Sequence, residues 1–135
     1  MGAMSTAMWR TLVETMGMEN SWIADELGVG QREVRRWASA NPRGPVHEFA
    51  RDWILDWWQL FQDRVADEIN VALELEELEG PISYASLARY KTAESLARAG
   101  ETMPHAMHDA LVGLVAFGLE QADIRPQVMW REEEP

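Results

Sequence analysis

Between Gln31 and Arg36 the chain reads Gln-Arg-Glu-Val-Arg-Arg, which puts three of its 12 basic residues within five positions of a protein whose formal charge is -11. Arginine carries a permanent charge on a planar fork that can pair with guanine O6 and N7 or grip phosphate. The competing use is mundane: helical arginines keep a surface soluble, or pair with nearby Asp25, Glu26 and Glu33. Other clusters carry less chemistry. Glu74, Glu76, Glu77 and Glu79 have neither histidine ligands nor an apolar pocket beside them and read as a solvated acidic turn. His105 and His108 lie three apart next to Asp109, but no third convergent ligand is visible, so no metal is assigned. His47 is isolated, Ser83, Ser86 and Ser95 have no nucleophile context, and no glycine-rich phosphate loop occurs. Neither a catalytic residue nor a cofactor is expected, and the chain does not read as an enzyme.

The elements around the arginines follow from helical spacing. Met8, Trp9, Leu12, Val13 and Met16 predict an amphipathic helix from about Ser5 to Met16, stopped by Gly17. Asn20-Ser21 are read as the N-cap pair of a second, two-turn helix that turns Trp22, Ile23, Ala24 and Leu27 inward and ends at Gly28. Gly30 then caps a third helix, with Glu33 three residues on to serve its free backbone N–H groups. At 100° per residue, Val34, Trp37 and Ala38 share one arc of that helix, and Gln31, Arg32, Arg35 and Arg36 cover the other.

The pattern of Ala24, Gly28, Val34 and Trp37 resembles the helix-turn-helix of Cro- and lambda-repressor-like regulators. Ala24 permits close helix approach, Gly28 turns the chain, and Val34 with Trp37 anchors the third helix from beneath. The resemblance implies that this helix reads double-stranded DNA. It places Gln31, Arg32, Arg35 and Arg36 at base edges and phosphates of the major groove, with Arg43 in the next loop as a further phosphate contact.

Asn41-Pro42-Arg43-Gly44-Pro45 forbids a continuous helix, so the expected domains are 4–45 for DNA binding, 46–130 for an acidic helical dimerisation or interaction region, and 131–135 for an acidic, frayed tail. Five arginines balance five acids up to Pro45, and all the excess negative charge lies beyond it. From Pro45, placed in the first helical turn, Val46, Phe49, Ala50, Trp53, Ile54, Trp57, Leu60, Phe61 and Val65 predict a long helix to about Glu77. Trp53, Trp57, Trp58 and Phe61 are the candidate dimer-interface residues, the alternative being that the chain itself covers this stripe. Ile82 to Tyr90 has strand character and must pair either with a second protomer or with the segment Ile124 to Trp130. Thr92 opens a helix to about Ala99. Pro104 opens a last one, whose Ala106, Met107, Ala110, Leu111, Leu114, Val115, Phe117 and Leu119 mark it as core.

This order of elements is similar to the YdiL-like group that includes anti-CRISPR-associated autorepressors, through "LARYKTAESLARAG" and "ALVGLVAFGLEQADI". That similarity implies a homodimer on an inverted-repeat operator, controlling its own operon in a bacterium or phage. The expectation is therefore a mainly α protein: a helix-turn-helix bundle, a long helix, and a helical dimerisation region with at most a short strand. It would act as a homodimeric transcriptional repressor, or alternatively as an antitoxin-type or phage regulatory adaptor whose acidic body binds another protein. With no cysteine, no signal peptide and no apolar run near the roughly 18 residues of a membrane span, the expected address is cytoplasmic, without membrane partners. Met1-Gly2-Ala3 ahead of Met4-Ser5 reads as a vector-derived extension.

Overall fold

Residues 3–40 and 44–131 are described in a computed structural model. Among them six helices and two strands follow in the order α1 (Thr6–Met16), α2 (Asn20–Leu27), α3 (Gln31–Trp37), α4 (Glu48–Glu79), β1 (Tyr84–Arg89), α5 (Ala93–Arg98), α6 (His105–Gln121) and β2 (Arg125–Trp130). The architecture is mainly helical, with one long helix and a two-stranded sheet. No helix among the described residues is long and apolar enough to cross a membrane.

The chain packs as two compact units, Met1–Leu60 and Phe61–Pro135. The division falls inside α4 and not at the proline-rich stretch, because Trp53 and Trp57 of α4 give their rings to tryptophans of the first unit. Asn41, Pro42 and Arg43 lie outside the described residues, as does the tail 132–135.

In the first unit, Ser5 caps α1 by accepting the Met8 N–H at 3.0 Å. Gly17 ends the helix in the left-handed region, φ 65°, with Met18 N–H donating back to Val13 at 3.0 Å. Asn20 and Ser21 lie inside the first turn of α2; the N-cap position is Glu19, extended and without a side-chain cap bond. Gly28, φ 67°, ends α2, and Val29 N–H returns to the Ala24 carbonyl at 3.0 Å. Pro45 precedes α4 instead of entering it, because buried Val46 donates its N–H to the Met4 carbonyl at 3.0 Å and holds that segment extended.

The core of this unit is aromatic. Trp9 and Trp37 are fully buried and meet edge to face with centroids 5.2 Å apart and planes at 73°. Trp53 lies 6.5 Å from Trp9 and 5.6 Å from Trp22, Trp57 lies 5.5 Å from Trp22, and Phe49 closes on Trp37 at 5.9 Å. Ile23, Ala24, Val34, Ala50 and Ile54 are buried beside these rings, as are Leu12, Val13 and Met16 of α1.

In the second unit β1 and β2 run parallel, from Tyr84 opposite Arg125 to Arg89 opposite Trp130. A parallel pair needs a crossover, and α5 with α6 supplies it. Thr92 and Ser95 form a reciprocal capping box that starts α5. Met107, Leu111, Val112, Val115 and Leu119 of α6 are buried, whereas Phe117 is 63% exposed, so this helix is covered on one side only. A Cβ added at Gly118 would sit 2.2 Å from Ile69 Cδ1, which identifies Gly118 as the point of close approach to α4.

Two substitutions test the first unit. Trp37→Ala should cost about 3–5 kcal/mol through lost burial and the cavity left behind. Gly28→Ala should cost roughly 1–2 kcal/mol through the left-handed φ alone, since no neighbouring atom obstructs a Cβ there. Urea unfolding of the two variants against wild type measures both.

Candidate nucleic-acid interface

Helix α3 is seated by Val34 at 0% and Trp37 at 1% exposure. That fixes which way the rest of the helix faces. Gln31, Arg32 and Arg35 are exposed, while Glu33 and Arg36 are half-buried at the shoulder. Arg36 donates two bonds to Glu33, from Nε to Oε2 at 3.3 Å and from Nη2 to Oε1 at 2.5 Å. The bond to Arg36 holds the Glu33 carboxyl below its ordinary 4.5, and the same bond raises Arg36. Arg32 and Arg35 make no ion pair with any described residue. Asp25 and Glu26, the other acids near these arginines in sequence, are exposed on α2. Thus the structure presents Gln31, Arg32 and Arg35 together as an open cationic face and sets Arg36 apart, occupied by Glu33. Arg43 lies outside the described residues.

The stripe on α4 resolves differently. Trp53 and Trp57 are half-buried, Trp53 tilted against Trp9 and Trp22 and Trp57 edge-on to Trp22, so the first unit itself covers part of each ring. Trp58 is also half-buried. Phe61 is fully buried, so it is a core residue and is not available at a protein surface.

The second unit holds a cluster that sequence spacing does not reveal. Arg64 pairs with Glu101, which is 37 positions away, and with Glu68 at 3.3 Å. These three side chains line a cavity of about 380 Å³ together with Ser86, Tyr90 and His108. Arg64 lowers the Glu101 carboxyl through their hydrogen bond. His108 is 7% exposed, its ring edge-on to Tyr90 at 5.6 Å, and burial lowers its pKa despite the upward pull of Glu101, Glu68 and Asp109. His105 instead turns its Nε2 to the Tyr90 carbonyl at 2.6 Å. The two histidines therefore do not converge, and among the described residues no group of three side chains is arranged to hold a metal ion. Glu74, Glu77 and Glu79 are exposed and Glu76 half-buried along the last turns of α4. Arg89 donates to Asp109 at 3.1 Å and lies 5.2 Å from the centroid of the Trp130 ring.

Compared with known proteins, the chain matches no protein-family model and no curated protein.

The lowered pKa of His108 sets a pH dependence. In the unfolded chain this histidine takes up a proton near its ordinary 6.5, whereas the folded protein resists protonation until a lower pH. The unfolded state thus binds more protons over that interval, and stability falls as pH falls. The contribution of His108 is fully present above pH 6.5 and is lost as pH drops through the folded value. Denaturant midpoints measured from pH 7.5 down to pH 5 should decline for wild type, and the decline should flatten in His108→Asn.

Proposed function

We propose that the protein is a sequence-specific DNA-binding regulator that acts as a homodimeric repressor on an inverted-repeat operator, with α3 entering the major groove. The observation that carries this reading is the seating of α3: Val34 and Trp37 are locked in the aromatic core, while Gln31, Arg32 and Arg35 stand exposed and the two arginines have no carboxylate partner among the described residues. Arginines in this state can neutralise phosphates and pair with guanine without first breaking an internal bond. The likeness of Ala24, Gly28, Val34 and Trp37 to Cro- and lambda-repressor-like regulators supports the same assignment. Few free cations per chain make a monomer a weak binder, which favours two reading heads on two half-sites.

The protein-binding alternative draws on a different observation. In the acidic second unit Phe117, Met129 and Trp130 are 63%, 58% and 52% exposed, a surface suited to a protein partner.

Selection from a random duplex library at moderate salt tests the first reading. Wild type should enrich a palindrome with half-sites about one helical turn apart. Arg32→Ala/Arg35→Ala should lose the enrichment while its unfolding curve matches wild type. No enrichment by wild type, combined with loss of regulatory activity in Met129→Glu but not in the arginine variant, would select the protein-binding reading.

A further inference from the structure

We propose that Glu33 withholds Arg36 from DNA phosphates, so that the chain grips DNA of any sequence less tightly than its arginine count allows. The inference rests on α3 being the DNA-reading helix. The buried pair Val34 and Trp37 defines the inward direction of that helix. At 100° per residue, Arg32 then points outward, Arg35 and Arg36 flank it about equally on either side, and Glu33 lies beyond Arg36, next to the buried arc. An i,i+3 spacing lets the two side chains meet, and the fork closes on both carboxylate oxygens. A phosphate approaching Arg36 meets a guanidinium whose Nε and Nη2 are already donating, beside a carboxylate that repels it.

The alternative for such a pair is a surface ion pair that merely decorates the helix. Two features argue for a functional cost. Arg36 is the one residue of the three-arginine cluster with a carboxylate partner among the described residues. Its partner also sits on the same seven-residue helix, so the pair travels with the reading surface. Both side chains keep 40% exposure. The pair is therefore at the water-accessible surface, and Glu33→Gln removes its charge without opening the buried side of the helix.

The test is the salt dependence of binding to a duplex of arbitrary sequence, followed by fluorescence anisotropy on the full chain. Each phosphate contact contributes a slope of about -0.9 to a plot of log affinity against log salt. Arg32→Ala and Arg35→Ala should each flatten the wild-type slope by that amount, whereas Arg36→Ala should leave it unchanged. Glu33→Gln should tighten binding to all sequences alike and steepen the slope by about 0.9, and this gain should vanish in Glu33→Gln/Arg36→Ala. If Arg36→Ala flattens the slope as Arg32→Ala does, Arg36 already holds a phosphate and the inference fails while DNA reading stands. If the Glu33→Gln gain survives without Arg36, Glu33 acts only by its own charge, and the inference again fails alone. If neither wild type nor Glu33→Gln binds at low salt, the DNA reading itself is overturned.

Discussion

The edge-to-face contact of Trp9 with Trp37 is the interaction on which the arrangement of the first unit depends. Helices α2 and α3 have eight and seven residues, too short to persist in water on their own propensity. What holds them is burial of large rings against neighbours distant in sequence, each ring removing about 150–250 Å² from water. Trp37 is the last residue of α3, so its position fixes the axial rotation of a helix barely two turns long. Phe49, near the start of α4, closes the other side of Trp37, and Trp53 does the same for Trp9. The direction in which Arg32 and Arg35 point is thus set by aromatic packing, with no hydrogen bond to either side chain needed.

Charge distribution follows a different logic. With 23 acidic residues against 12 basic ones, an arginine on this surface ordinarily finds a carboxylate. Arg10 has Glu14, Arg36 has Glu33, and Arg51 has Glu48 and Asp52. In the second unit Arg64 has Glu101 and Glu68, and Arg89 has Asp109. Arg32 and Arg35 depart from this pattern, as Arg125 does in the second unit: none of the three makes an ion pair with a described residue. Arg32 and Arg35 lie on the side of α3 opposite its buried residues, and Glu33, the acid closest in sequence, is turned toward Arg36.

Several features were legible in the residues because their causes are local. Gly17 and Gly28 end helices since each adopts a positive φ that other residues resist, and Ser5 and Thr92 start helices through side-chain bonds spanning three residues. The 3.6-residue period of α4 and α6 likewise needs no knowledge of the rest of the fold. Features that depend on distant partners were not legible. Asn20 and Ser21 look like caps, but both are already helical and Glu19 takes the N-cap position; Pro45 looks like a first helical residue, but Val46 donates its N–H to the Met4 carbonyl. The Arg64–Glu101 pair joins α4 to the segment before α6; of the two partners the strand pattern allows β1, a second protomer or the Ile124 to Trp130 segment, the chain uses its own β2, and the parallel sense of that pairing is not legible in the pattern. On α3, spacing indicated a cationic arc, but only the side-chain geometry separated Arg36 from Arg32 and Arg35.

The crowding of indoles in the first unit has an optical consequence. Six of the seven tryptophans, at positions 9, 22, 37, 53, 57 and 58, belong to Met1–Leu60, and the seventh, Trp130, is on β2 with half its surface in water. Ring centroids 5.2–6.5 Å apart place four indole pairs within range of strong transition-dipole coupling. The first unit therefore carries a chiral chromophore array, whose exciton bands in circular dichroism belong to that aromatic packing. The red-shifted emission of an exposed indole belongs to Trp130, so the two units carry separate native optical labels without any added dye.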